Sequence, residues 1–191
     1  MYKQLFEHIK KTCPNYPEED LNLLLPYFES KIITKKSLFL KVGDVCNTAA
    51  FAVKGCFRYF TTNSEGEEFI TRFAFNDYWV GEIQGMIHGT PSMVSIEALE
   101  DCSVLTISAT DYNYLLQNSR PFADFIEKKF AKAFQSAEIR SSEFAESAEN
   151  RYQILLSKFP DITQRVPQYY IASYLGITPE SLSRLRKKSI S

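Results

Sequence analysis

Apolar positions along the chain change their spacing twice, near residue 30 and near residue 110, and so divide it into three zones. In the first zone Leu5, Phe6 and Ile9, then Leu21, Leu24, Leu25 and Phe28, recur at helical intervals, with Pro14 and Pro17 between the two runs. From about residue 31 to residue 110 the pattern shortens into β-like runs, at 37–40, 49–53, 56–61, 68–75, 92–99 and 102–107. The polar stretch 62–66, which ends in Gly66, predicts a hairpin turn between two of them. Short strands spaced this evenly predict a small antiparallel sandwich or barrel.

Beyond Asp111 the helical period returns. A short piece over 111–117 precedes a long helix that Pro121 opens and that runs to about residue 146. Its stripe is Phe122, Ile126, Phe130, Ala133, Ala137 and Phe144, widened by Phe125 and Phe134. So aromatic a stripe needs a partner. The expectation is a two-fold homodimer in which Phe122, Ile126, Phe130, Ala133 and Ala137 meet the same helix of a second chain. One more helix, over 151–159, carries Tyr152, Leu155, Leu156 and Phe159 and stops at Pro160.

Residues 168–188 read as a helix-turn-helix. Ile171, Ala172 and Leu175 give the first helix its inner face, and Gly176 is the residue that can take φ > 0 and end it. Thr178 suits an N-cap, Pro179 the first helical position and Glu180 the positive helix end. Leu182 and Leu185 bury the second helix, while Ser181, Arg184 and Lys188 share an outer face flanked by Ser183, Arg186 and Lys187. A small alanine, a glycine turn and a basic exit together point to DNA rather than to an ordinary helical hairpin.

Composition sharpens this picture without overturning it. Of the 191 residues 45% are apolar, enough for a real core, and the formal net charge of −1 excludes a protein that coats nucleic acid indiscriminately. The charge is uneven: beyond residue 164, Arg165, Arg184, Arg186, Lys187 and Lys188 stand against Glu180 alone. The four cysteines, Cys13, Cys46, Cys56 and Cys102, form no C-x-x-C pair, so reduced buried thiols are expected, with no metal and no cofactor. The first 13 residues lack an apolar leader and no run is long enough to span a membrane, which predicts a cytoplasmic protein.

A β-rich first domain, a long connecting helix and a terminal helix-turn-helix, in that order, resemble the Crp–Fnr family of bacterial transcription regulators. Four strings carry the resemblance: FAVKG at 51–55, EGEE at 65–68, DYWVGE at 77–82 and TPESLSR at 178–184. It implies an α+β fold: a jelly-roll (double-stranded β-helix) domain of the cyclic-nucleotide-binding type over 1–119, a dimerisation helix over 120–147, and a helix-turn-helix domain over 148–191. Glu180 and Arg184 are similar to the family's base-reading positions. Glu can accept from a cytosine amino group and Arg can donate twice to guanine. Gln168, Thr178, Pro179, Ser181, Ser183, Arg186, Lys187 and Lys188 complete the expected DNA-binding set, largely through phosphates. The family's wing has no room here, since only Ser189, Ile190 and Ser191 follow Lys188, so fewer phosphate contacts are expected.

The segment that resembles the nucleotide-binding cassette departs from its pattern. Gly81 and Glu82 are in place, but Ser92 stands where the phosphate-neutralising Arg belongs, and no Arg or Lys occurs between Arg72 and Arg120. A buried phosphate without a cation is costly. The pocket of Gly81, Glu82, Ile83, Ser92 and Met93 is therefore expected to be degenerate, and cyclic AMP not to be a tight ligand; the effector is unknown. His88 lies in this segment as a solvated histidine. The resemblance implies double-stranded DNA with an inverted-repeat operator as partner, and leaves room for RNA polymerase. The competing reading is a small-molecule-binding jelly roll whose helical tail makes protein contacts. A cupin-like metalloenzyme is excluded by two distant histidines, and no catalytic constellation is present, so no enzyme is expected.

Overall fold

Proline and turn residues place the element ends of this chain, and the burial pattern places its faces. The computed structural model describes residues 1–190, with Ser189 and Ile190 as backbone only. Two helices, α1 (Tyr2–Thr12) and α2 (Glu18–Leu23), and a 3-10 turn (Leu25–Tyr27) lead into eight strands. These are β1 (Glu29–Ile33), β2 (Leu38–Leu40), β3 (Thr48–Lys54), β4 (Phe57–Thr62), β5 (Glu68–Ala74), β6 (Trp79–Val80), β7 (Ser95–Ala98) and β8 (Cys102–Ser108). A short helix, α3 (Ile83–His88), lies between β6 and β7. They form two four-stranded antiparallel sheets, β1-β8-β3-β6 and β2-β7-β4-β5, stacked as a jelly-roll-like sandwich. The sequence pattern does not reveal β1, β6 or α3. β1 is an edge strand with four of five residues exposed, so it carries no alternation, and β6 has only two residues.

The helices that follow are α4 (Ala109–Asn118), α5 (Arg120–Glu143), α6 (Ala148–Lys158), α7 (Ile162–Arg165), α8 (Gln168–Leu175) and α9 (Pro179–Ile190). Ser119 caps α5 by accepting the Phe122 N–H, and the adjacent proline fits the first turn. Phe122 and Phe125 are fully buried and Ile126 nearly so, in one core with Leu5 and Ile9 of α1, Phe51 and Leu105 of the sandwich, and Tyr112 of α4. Phe122 and Ile126 therefore face the chain's own sandwich, not a second chain. Its rings interlock: Trp79 lies 5.9 Å from Phe51 and 6.2 Å from Phe125. Farther along α5 the packing stops. Residues 131–139, including Ala133 and Ala137, are exposed around the whole helix, and Phe130 is the last stripe residue to touch the core.

A second core joins the outer face of β4 and β5 to the terminal helices. A bulge opposite Tyr59 and Phe60 inserts an extra residue, Thr71, into β5, so that Ile70 and Phe73, three positions apart, share its outer face. Phe57 and Tyr59 point into the sandwich, whereas Phe60 joins Cys56, Ile70, Phe73, Phe75 and Leu99 outside it. Onto this apolar surface pack Tyr152 and Leu155 of α6, Ile162 of α7, Ile171, Ala172 and Leu175 of α8, and Leu182 of α9. The α8–α9 pair is docked, not tethered.

Candidate nucleic-acid interface and the cassette segment

The α8–α9 pair is built as its sequence predicts. Gly176 adopts φ +66° and ends α8, the Ile177 N–H reaches back to Ala172 O at 3.0 Å, and the Gly176 N–H reaches Ser173 O at 3.0 Å. Thr178 Oγ1 accepts the Ser181 N–H at 3.2 Å, which satisfies a free donor of α9. Leu182 is completely buried, and this fixes which face of α9 turns outward. Glu180, Ser183, Arg184, Lys187 and Lys188 are exposed there, while Ser181, Leu185 and Arg186 are half-buried. Arg184 Nη2 donates to Ser181 Oγ at 3.1 Å, so its guanidinium is already held along the helix. The Glu180 carboxyl is held below its usual range by its own backbone N–H, by Thr178 and by the Arg184 charge, and is ionised at neutral pH. Lys188 is paired with Glu149 at 3.0 Å, a surface ion pair that a competing anion can displace. Of the other expected DNA contacts, Gln168, Thr178 and Pro179 are exposed at the starts of α8 and α9. Ser191 and the side chains of Ser189 and Ile190, where the wing was expected to be missing, lie outside the described residues.

Two arginines hold this pair on the sandwich. Arg165 Nη2 donates to Gly55 O at 2.8 Å and to Glu100 Oε1 at 2.6 Å, and Nη1 to Asp161 Oδ2 at 3.1 Å. Arg58 is buried, pairs with both Glu68 and Glu97, and lies between the Phe60 ring at 4.0 Å and the Tyr170 ring at 4.2 Å. Ser173 of α8 accepts the Ile70 N–H of β5 at 3.0 Å. None of these docking residues was among the expected site residues. Their signal was present all the same, since β5 carries Ile70, Phe73 and Phe75 beyond what one sandwich face needs. Beside the dock, a half-open cleft of about 470 Å³ lies between the 34–37 turn and the start of α8, lined by Lys35, Lys36, Gln164, Gln168 and Tyr169.

The cassette segment is occupied by its own bonds. Gly81 takes φ +140° against Ala49 and donates its N–H to Tyr59 Oη at 3.0 Å. The Glu82 carboxylate caps α3 by accepting the Gly85 N–H at 2.8 Å. A Cβ on Gly85 would stand 2.6 Å from that carboxylate, so the cap requires glycine there. Ser92 is buried and its hydroxyl is shared between the O and N of Val94. Ile83 is half-buried, but Met93 is 80% exposed. Among the described residues no group of His, Cys, Asp and Glu side chains is placed to hold a metal ion, and no helix is long and apolar enough to cross a membrane.

Residues 31–119 match the cyclic nucleotide-binding domain family. Over most of its length the fold is similar to that of FixK2 from Bradyrhizobium japonicum, with a TM-score of 0.73 and 18% identity over 84% of this chain and 83% of that one. CLP of Xanthomonas campestris, described as a c-di-GMP responsive global regulator, is similar with a TM-score of 0.68 and 18% identity, covering 90% and 91% of the two chains. The catabolite activator protein of Thermus thermophilus has a TM-score of 0.59 at 18% identity, covering 91% and 84%. No curated protein sequence matches the chain.

Proposed function

We propose that this chain, whose residues 31–119 match the cyclic nucleotide-binding domain family, is a homodimeric transcription regulator of the Crp–Fnr type that reads DNA through a helix-turn-helix formed by α8 and α9. The observation that carries the reading is the division of α9. Leu182 is wholly buried, while Glu180, Ser183 and Arg184 stand together on the opposite, exposed face. A helix with an acceptor and a forked donor at this spacing can read base edges in a major groove, and the lysines that follow can bind phosphate. The dimer is supported by the bare middle of α5. A fully solvated stretch bearing Phe134 at 68% exposure and Ile139 at 49% is costly for a lone chain, and pairing with a second α5 buries it. Phe130, Ala133 and Ala137 are the stripe residues left for that contact. The effector is not cyclic AMP, because Glu82 already caps α3 and Ser92 offers no charge to a phosphate.

Selection of bound sequences from a random DNA pool tests the reading. An inverted repeat with half-sites about one helical turn apart is expected. Arg184→Ala should weaken binding to the selected site by about 5- to 150-fold and relax one base position, the loss for a bidentate base contact. An unstructured pool, or an Arg184→Ala variant with full sequence-selective binding, overturns it. Micromolar binding of cyclic AMP overturns the effector reading alone.

A further inference from the structure

Arg151 stands in the first turns of α6, close to the end where the helix dipole disfavours a cation. Its side chain turns to other helices instead. Nε and Nη2 both donate to Leu175 O, at 3.2 and 2.9 Å. Nη1 donates to Glu146 O at 2.6 Å and more weakly to Phe144 O at 3.4 Å. Leu175 is the last residue of α8, directly before the Gly176 turn, and Phe144 caps the end of α5. Carbonyls at helix C-termini lack partners in their own helix and carry the negative end of its dipole. One half-buried guanidinium therefore joins the C-terminal ends of α5 and α8.

The other contacts across this junction are looser. Arg140 of α5 lies with its Cζ 3.7 Å over the Tyr174 ring, a stack that tolerates sliding, and the Glu143–Lys158 pair between α5 and α6 is partly solvated. Hydrogen bonds from a planar fork to fixed carbonyls hold direction as well as distance. Arg140, Phe144, Arg151, Tyr174 and Leu175 line one small cavity, so these groups share a single junction. The bare stretch 131–139 of α5 lies between that junction and the Phe122–Phe130 anchor on the sandwich. A second chain that pairs there meets a helix whose far end Arg151 ties to α8.

We propose that Arg151 is a positioning residue that fixes the angle between α5 and the α8–α9 pair, and so sets the half-site spacing that the homodimer accepts. The proposal rests on the reading of the chain as a dimeric regulator. In such a dimer the two α9 helices are related through the paired α5 helices, and the operator measures their separation. One added base pair moves the half-sites apart by about 3.4 Å and turns them by about 35°. A loose α5–α8 junction would follow that change, whereas a junction held at three carbonyls would resist it. Arg151 acts through the helices that it joins and not by contact with DNA.

Selection from a random DNA pool tests this, followed by affinity measurements on the selected repeat and on repeats one base pair shorter and longer. The parent chain should select one spacing. Arg151→Lys keeps the charge but loses the fork. It should select the same half-site sequence over several spacings, with the preference for the parent's spacing down by about tenfold, the loss of a charge-assisted hydrogen bond. Affinity for an isolated half-site should be unchanged, which separates positioning from damage to α9. Arg120→Gln, which removes an exposed pair with Asp124 on the same helix, should keep the parent's spacing. If Arg151→Lys does not fold, Arg151→Gln takes its place with the same expectations. A parent chain that binds several spacings equally overturns the proposal without any variant. So does a folded Arg151 variant that is as strict as the parent, or one that loses the isolated half-site. A parent chain that selects no inverted repeat overturns the regulatory reading and this proposal together.

Discussion

Replacing Arg165 with alanine should uncouple the α8–α9 pair from the sandwich, and the size of the effect follows from its contacts. The side chain is 18% exposed and donates to Gly55 O, Glu100 and Asp161, with Phe75 5.1 Å from its Cζ. Breaking a fully buried ion pair costs about 3–5 kcal/mol. Here Glu100 and Asp161 are 31% and 54% exposed, so water takes over part of their solvation and the electrostatic part falls to about 1–2 kcal/mol. The orphaned Gly55 carbonyl adds about 1 kcal/mol, for a total of about 2–3 kcal/mol. Trp79, the single tryptophan, lies in the first core, so its fluorescence follows the sandwich while circular dichroism follows all the helices. In urea the two signals of the parent chain should coincide. In Arg165→Ala the midpoint should fall by about 1 M, with helical signal lost ahead of fluorescence. Lys3→Ala removes an exposed pair with Glu7 and should cost no more than about 0.5 kcal/mol. A loss for Arg165→Ala as small as that of Lys3→Ala, with coincident transitions, would refute the docked-domain argument.

Acid should weaken the fold through His8. Burial first, then Lys129, whose Nζ lies 3.1 Å from Nε2, lower its pKa from 6.5 to about 4. Above pH 6.5 the ring is neutral folded or unfolded and costs nothing. Between pH 6.5 and 4 only the unfolded chain takes the proton, so stability falls, by about 1–2 kcal/mol after allowance for the ring's partial exposure. His8→Gln should lack this component in urea titrations at pH 7.5 and 4.5, and an identical pH slope in both proteins speaks against it. Gly176→Ala meets no atom within 4 Å and should cost only its left-handed backbone, about 1 kcal/mol in thermal melts. Gly55→Ala puts a Cβ 2.4 Å from Cys102 Sγ and should cost far more, so equal losses at the two glycines would discredit the distinction. Thr178→Ala removes the α9 cap and should cost about 1 kcal/mol in the same melts; no loss would mean that the Oγ1 contact carries no weight.

The sequence made the helix pair legible because its residues act locally: a glycine turn, a cap and a leucine face all lie within 17 positions of one another. The strands β3, β4, β5 and β8 were legible by alternation and turn chemistry. What escaped depends on distant residues. Nothing local in Arg165 announces Glu100, and Phe122 reads the same on a helix whether it meets its own sandwich or a second chain. The bulge in β5 opposite Tyr59 and Phe60 is also silent in sequence, yet it puts Ile70 and Phe73 on one face and helps to create the dock. Ser92 was informative in a narrower way: its identity argued against a phosphate site in the cassette.

The serine contact between α8 and β5 has a consequence for how far the terminal helices can travel. β5 is the last strand of its sheet, and Ser173 satisfies one of the N–H groups along its open side. An uncovered strand margin with Phe69 already at 48% exposure invites pairing with other chains. Complete release of α8 would therefore leave a self-associating surface. Any switching motion that keeps the protein soluble must slide or pivot over β5 and stop short of letting it go.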